Sequence, residues 1–140
     1  MKNWKIKTFS RTLALVLLAS SFTANAHDSG ADVATLQLQN LMRATLEGVT
    51  GTEVIVSRVS IPANTMLPVH WHPGEEFAYI LEGTVSLLQK GKKELVGHKG
   101  DVMKVPLKQI HTAKTGEESA VILVFRVHEA GQPERVKAEM

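Results

Sequence analysis

The chain has 140 residues, 44% of them hydrophobic and none of them cysteine, and its formal net charge is +2. This length is enough for one ordinary domain with a hydrophobic core, and the lack of cysteine excludes disulfide bonds. Without residues 1–26 the balance is 12 Lys and Arg against 14 Asp and Glu, a net charge of −2. Such a mildly acidic domain lacks the basic surface that nucleic-acid binding requires.

Residues 1–26 have the pattern of a secretory signal peptide. The basic stretch MKNWKIKTFSR precedes the apolar run TLALVLLASSF, and Ala24-Asn25-Ala26 forms a small-residue cleavage site. The alternative is a membrane anchor, but the apolar run is about half of the roughly 20 residues that a bilayer-spanning helix needs. We therefore expect cleavage after Ala26, no membrane attachment of the mature protein, and a periplasmic or secreted location.

The mature chain reads as a series of short strands. Residues 27–35 predict a flexible N-terminal segment and residues 131–140 a polar C-terminal tail. Between them, alternating and β-branched stretches separated by turn residues predict strands, at 36–47, 52–61, 66–72, 76–82, 84–89, 93–98, 102–106, 109–114 and 120–130. The first of these could instead form a short helix. Eight or more short strands indicate an all-β sandwich or barrel, and the size suits a jelly roll.

Two histidines and an acid lie close together in HWHPGEEFAYILEG, residues 70–83. Because side chains alternate along a strand, His70 and His72 point to the same side. Across the predicted turn at Pro73, Glu76 can face the same volume. Imidazole and carboxylate together suit Zn, Cu, Fe, Mn or Ni rather than Ca or Mg. Taken alone, this spacing leaves open both a metal site and a chance polar strand edge.

A second segment, GDVMKVPLKQIH at residues 100–111, favours the metal site over a chance arrangement. The two segments together resemble the two-part signature of the cupin superfamily. Its first half is G, five residues, H-x-H, three or four residues, E, six residues, G; its second is G, five residues, P-x-G, two residues, H, three residues, N. The positions of this sequence that match are His70, His72, Glu76, Gly83, Gly100, Pro106 and His111.

Three positions depart from the cupin pattern. Asn64 stands where the first glycine is expected, Lys108 replaces the glycine of P-x-G, and Thr115 replaces the final asparagine. Asparagine tolerates positive φ, whereas Lys108 costs roughly 1 kcal/mol if its position requires positive φ. None of the three is a metal ligand in the family pattern.

The resemblance covers residues 36–130 and implies a cupin jelly-roll β-barrel, or double-stranded β-helix, that holds one divalent transition metal. The metal ligands it implies are His70, His72, Glu76 and His111, with open positions for water or a small molecule. Zn, Cu, Fe, Mn and Ni all remain possible. Such an open centre implies a metal-dependent, dioxygenase-like enzyme acting on a small organic molecule. The alternative is a non-catalytic module that binds a small molecule or metal.

Further residues carry weaker expectations. Glu76 and Arg58 are the catalytic candidates, because an arginine inside the barrel could pair with a substrate carboxylate. For Arg58 and Arg126 alike, a structural salt bridge or an exposed position is the simpler expectation. We expect His98 and His128 at the surface.

Two expectations concern packing and assembly. The parity of Phe77 and Tyr79, opposite to that of Glu76, predicts packing against the second sheet. An exposed sheet edge and a free N-terminal strand predict a homodimer.

Overall fold

The computed structural model describes residues 35–140, and every helix or strand in that range is a β-strand. In chain order the strands are β1 Gln37–Thr45, β2 Thr52–Ile61, β3 His70–Trp71, β4 Gly74–Glu82, β5 Thr84–Gln89, β6 Leu95–His98, β7 Val102–Val105, β8 His111–Lys114, β9 Ala120–Glu129 and β10 Val136–Lys137. They form two antiparallel five-stranded sheets, ordered β1-β2-β9-β4-β7 and β10-β3-β8-β5-β6. The predicted all-β jelly-roll fold is confirmed.

The expected signal peptide, residues 1–26, lies outside the described residues. Within residues 35–140, no helix has the length and apolar character needed to cross a membrane.

The two longest strands, β2 and β9, supply much of the core. They pair along their whole length, from Thr52 opposite Glu129 to Ile61 opposite Ala120. In β2 the β-branched sequence TEVIVSRVSI places Ile55, Val59 and Ile61 on the buried inner face. Each fully buried aliphatic side chain of this kind contributes about 1.5–3 kcal/mol. The hydrophobic core therefore lies between the sheets, and many of its side chains also line the cavity described below.

Strand β3 is shorter than the predicted strand 66–72. Only His70 and Trp71 belong to the ladder, although Met66 forms an isolated bridge with Lys114. Pro68 lies between these two points and has no backbone N–H to donate, so the ladder is interrupted there. The region predicted as a turn at Pro73 is also shorter than expected, because β4 already begins at Gly74.

The three departures from the cupin pattern all find an explanation in the backbone. Asn64 has φ 51° and Lys108 has φ 56°, so both positions do adopt the left-handed conformation that favours glycine. The hydroxyl of buried Thr115 donates to the carbonyl of Pro62 and accepts from the amide of Thr65. Thr115 thus ties the second half of the signature to the turn that begins the first.

The expectation for Phe77 and Tyr79 was wrong. Both side chains point away from the second sheet: Tyr79 is 41% exposed, and the Lys104 ammonium lies 5.5 Å from the centre of the Phe77 ring. The inner face of β4 is formed instead by Glu76, Ala78 and Ile80, since side chains alternate along a strand.

Candidate metal centre

Three buried histidines meet at the inner surface of the second sheet. His70 in β3 pairs directly with His111 at the start of β8, and His72 follows β3 immediately. Their residues are 8%, 2% and 3% exposed, respectively. One ring nitrogen from each lies within 4.8 Å of the others, so the group could hold a metal ion. We call these three residues the histidine cluster.

Each ring of the histidine cluster is fixed by a backbone carbonyl. Nδ1 donates to Pro68 at 2.7 Å in His70, to Gln109 at 2.8 Å in His111, and to Glu134 at 2.5 Å in His72. A carbonyl oxygen only accepts, so Nδ1 must carry the proton. In the neutral rings every Nε2 is then an unprotonated acceptor.

The free lone pairs of the cluster converge. Nε2 of His70 lies 3.1 Å from Nε2 of His72, with no proton left to join them in the neutral rings. Oε2 of Glu76 lies 2.9 Å from Nε2 of His72, and Oε1 lies 3.8 Å from Nε2 of His111. Acceptors this close repel one another unless a cation lies between them. Three imidazole nitrogens and one carboxylate oxygen fit a divalent transition metal.

The pKa values of His70 and Glu76 are both lowered, which keeps the imidazole neutral and the carboxyl group ionised, as cation binding requires. Burial lowers the pKa of His70 from 6.5 to about 4, so the ring is neutral and its Nε2 is free at physiological pH. Burial alone would raise the pKa of Glu76. The polar contacts with His111 and His72, when their rings are protonated, outweigh it and lower the pKa of Glu76 well below the ordinary 4.5.

The two neighbouring acids of HWHPGEEF are separated by strand alternation. Glu76 faces the histidines, whereas Glu75 is partly exposed and pairs with Lys104 at 2.6 Å. Ala78, on the same face as Glu76, lines the cavity beside the site.

A chain of alternating charges leads away from Glu76. Arg126, only 3% exposed, places Nε 3.8 Å from Glu76 and donates from its other nitrogens to Glu134 at 3.1 Å and Ser57 at 2.7 Å. Glu134 also accepts from Arg43 at 2.5 Å, and Arg43 donates to Glu53 at 2.6 Å. We call Arg126, Glu134, Arg43 and Glu53 the ionic chain.

The C-terminal residues belong to this site. β10 pairs with β3, which carries His70. Glu134, just before β10, accepts from His72 through its carbonyl and from Arg126 and Arg43 through its carboxylate. The next residue, Arg135, lines the cavity. The segment 131–140, expected to be a polar tail, therefore closes one side of the site.

Next to the histidines lies a cavity of about 250 Å³. Thirteen of its nineteen lining residues are apolar; the other six are His70, His72, Glu76, His111, Arg126 and Arg135. The arrangement thus combines a cation site with room for a small, mostly apolar molecule.

Two expectations about single residues need revision, that Arg58 is a catalytic candidate and that His128 lies at the surface. Arg58 is not among the cavity-lining residues: it lies on the other face of β2 from Val59 and donates to Ser60 at 2.9 Å. Arg126 takes the interior position instead, as the salt-bridged arginine. His128, expected at the surface, is 3% exposed and lies 3.5 Å from Glu53, because its parity in β9 points inward. His98 is exposed, as expected.

The cupin domain model matches residues 57–126, which is half of the chain. The chain therefore belongs to the cupin family, as its two-part signature predicted. A search of curated proteins finds no match.

Solved structures agree on the fold. A cupin-like protein from Thermotoga maritima has a TM-score of 0.60 and 18% identity over 74% of this chain and 75% of its own. DMSP lyase DddQ from Ruegeria pomeroyi gives 0.62 and 21% over 81% of this chain but only 57% of its own. A conserved protein with a double-stranded β-helix domain from Klebsiella pneumoniae gives 0.57 and 18% over 75% and 85%. At such identities the likeness shows the fold and not the substrate.

Proposed function

We propose that this cupin binds one divalent transition metal ion through His70, His72, Glu76 and His111, and that the adjoining cavity binds a small organic molecule. The observation that carries the proposal is the convergence of three Nε2 lone pairs whose Nδ1 protons are all committed to backbone carbonyls. Zn, Cu, Fe, Mn and Ni all suit this donor set. When bound, such an ion supplies a Lewis acid or an oxygen-activating centre.

Different groups of the protein would orient the ligands of that ion, exchange protons, supply charge and exclude water. The backbone carbonyls hold the imidazoles in one tautomer, so the site needs little rearrangement to bind metal. Glu76, whose pKa is lowered, is ionised at neutral pH and can ligate the ion or accept a proton from a bound molecule. Arg126 keeps a positive charge 3.8 Å from Glu76. The apolar walls exclude water from the bound molecule.

We favour an enzyme, of the dioxygenase-like kind, over a non-catalytic binding module. An open cavity with a convergent acid and arginine supports catalysis, whereas a collapsed apolar interior would support a binder. The test is O₂ consumption by Fe²⁺-loaded protein with a ligand that fills the cavity. Recovery of that ligand unchanged, with no O₂ consumed, would support the binding module.

Metal binding is tested by elemental analysis of protein purified without a histidine tag and dialysed against Zn²⁺. We expect close to one Zn per chain, and loss of that metal in His70→Ala/His72→Ala. The control is His98→Ala, which leaves the metal in place because His98 is exposed and does not belong to the cluster. Full occupancy persisting in the first double variant would contradict the site.

We also propose a homodimer. β1 is an edge strand whose nine residues are all exposed, and Leu41, Met42, Tyr79 and Phe125 expose apolar surface at 39–50%. A second copy pairing along β1 would cover the open edge. Sedimentation equilibrium should give twice the mass of one chain; a monomer at high concentration would contradict this proposal.

We further propose export to the periplasm or the medium. The basic, apolar and Ala24-Asn25-Ala26 parts of residues 1–26 support it. N-terminal sequencing of protein recovered from the expressing cells should begin at His27, and an intact Met1 would contradict it.

A further inference from the structure

Apart from Arg135 at its entrance, the cavity has one polar patch in otherwise apolar walls. Contacts of 3.8 Å or less join His70, His72, His111, Glu76 and Arg126. The remaining wall is almost entirely aliphatic, and its floor includes Ile80, Val85 and Leu87, which are 0–4% exposed. A molecule that fills this space must therefore be apolar over most of its surface and polar at one end.

The charges around the patch determine whether the polar end of the ligand should be anionic or cationic. The three arginines Arg43, Arg126 and Arg135 balance the three acids Glu53, Glu76 and Glu134, and an imidazole that ligates a metal does so as a neutral ring. A divalent ion therefore brings two positive charges that these side chains do not offset. Uncompensated charge in a buried, low-dielectric site is costly. An anionic group on the ligand would relieve that cost, whereas an ammonium group would add to it.

The charge at the entrance of the cavity also favours a ligand with an anionic group. Leu36 and Leu38 line the cavity while 44% and 39% exposed, so they mark its opening. Arg135 is exposed and lines the same cavity. Within residues 35–140 the arginine–carboxylate ion pairs are made by Arg43 and Arg126, and Arg135 makes none. Its charge is available to an incoming anion.

We infer that the ligand of this cavity is a small monocarboxylate with an apolar chain or ring, its carboxylate directed at the polar patch and its apolar part packed against the aliphatic walls. This inference rests on the proposed function, since it takes the charge of the bound metal as given. A cavity of about 250 Å³ lies at the lower end of the range for small-molecule sites, and so excludes large or extended ligands.

The inference is tested by calorimetric titration of Zn²⁺-loaded protein with hexanoate, 1-hexanol, hexylamine and acetate. Hexanoate should bind at least tenfold more tightly than 1-hexanol, and hexylamine should not bind measurably. Each methylene group buried in the cavity should improve affinity roughly fourfold, so acetate should bind on the order of a hundredfold more weakly than hexanoate. Equal binding of hexanoate and 1-hexanol, or of hexanoate and acetate, would overturn the inference.

Arg135→Gln and Lys137→Gln form a matched pair for the entrance. Both remove one positive charge from an exposed side chain of the same segment, but only Arg135 lines the cavity. Arg135→Gln should weaken hexanoate binding about threefold to fivefold and leave 1-hexanol unchanged. Lys137→Gln should change neither. An equal effect of the two substitutions would overturn the role of Arg135.

Zinc content measured on the same samples separates the two proposals. Absence of zinc would defeat the proposed function itself. One zinc per chain, with no preference for hexanoate, would defeat only the ligand class.

Discussion

The histidine cluster inside this barrel and the ionic chain, which runs from buried Arg126 out to exposed Arg43, are stabilised in opposite ways. The histidine cluster consists of acceptors that face each other and contribute no charge when neutral. The ionic chain alternates sign, with Glu53, Arg43, Glu134 and Arg126 joined at 2.6, 2.5 and 3.1 Å. The first offers its lone pairs to a cation, whereas the charges of the second are paired with one another within the protein. The contrast separates side chains suited to ligate a metal from side chains that hold the surrounding structure in place.

The largest effect is expected from a substitution that breaks the ionic chain at its buried member, Arg126. Arg126→Met leaves Glu134 and Glu76 without their common cation, and we expect a loss of about 3–5 kcal/mol in the free energy of unfolding. Zn²⁺ bound at Glu76 should offset only the part of this loss that falls on Glu76, and the part that falls on Glu134 should remain. Urea denaturation measures it.

Arg58→Met is the control for Arg126→Met. It removes an arginine from the outer face of the same sheet, and should cost no more than about 0.5 kcal/mol. If Zn²⁺ restored the stability of Arg126→Met, metal and arginine would be interchangeable and the contrast between the two groups would fail.

A smaller effect follows from the pH dependence of Glu134. Burial raises its pKa, but the charges and hydrogen bonds of Arg126 and Arg43 outweigh burial and lower the pKa below the ordinary 4.5. A depressed pKa in the folded state gives stability that is present above about pH 4.5 and is lost as pH falls through the folded value. Glu134→Gln should therefore destabilise by about 1–2 kcal/mol at neutral pH.

The difference between wild type and Glu134→Gln should shrink as pH falls below 4.5. Thermal denaturation followed by circular dichroism measures it across that range. Glu139→Gln, in the same segment but exposed, is the control and should show no such trend. A constant difference at all pH values would mean that the Glu134 carboxylate is not part of an ionic chain.

The smallest expected effect concerns Lys108, in the loop between β7 and β8 that precedes His111. Lys108 has φ 56°, and its amide donates to the carbonyl of His72 at 3.2 Å. Lys108→Gly removes the strain of a side chain at positive φ and should stabilise by about 1 kcal/mol. Zinc affinity should not change, because the hydrogen bond from the amide is retained.

Asn64→Gly is the comparison for Lys108→Gly, since asparagine already tolerates positive φ and should gain less. A fall in zinc affinity in Lys108→Gly would show that the loop, and not only the backbone carbonyls, orders the cluster.

The parts of the site that sequence could predict are those fixed by local spacing. His70, His72 and Glu76 lie within one turn and two strands, and strand parity alone places them on one side. β2 was predicted at its observed bounds because its alternation is strong and no proline interrupts it. β3 was not, because Pro68 interrupts the ladder within the stretch that the apolar pattern predicts as one strand.

The ionic chain could not be predicted because its members lie on four separate segments whose pairing the local pattern does not determine. Arg43, Glu53, Arg126 and Glu134 come from β1, β2, β9 and the C-terminal segment, and only the pairing of these elements brings them together. One signal was available: Arg126 shares the parity of Ile122 and Val124, which an inward position requires. Nothing in the polar sequence GQPERVKAEM distinguishes Glu134 from its neighbours.

The contacts of Glu134 also govern when the site can form. Its carboxylate accepts from Asn40 across 94 residues, and its carbonyl accepts from His72 across 62. Contacts of such long range close the largest loops of the chain and form late in folding. The backbone contact that orients His72 thus depends on docking of a segment distant in sequence, and we expect it to form after most of the barrel has folded. The histidine cluster would then be ordered only in the last stage of folding, after the hydrophobic core.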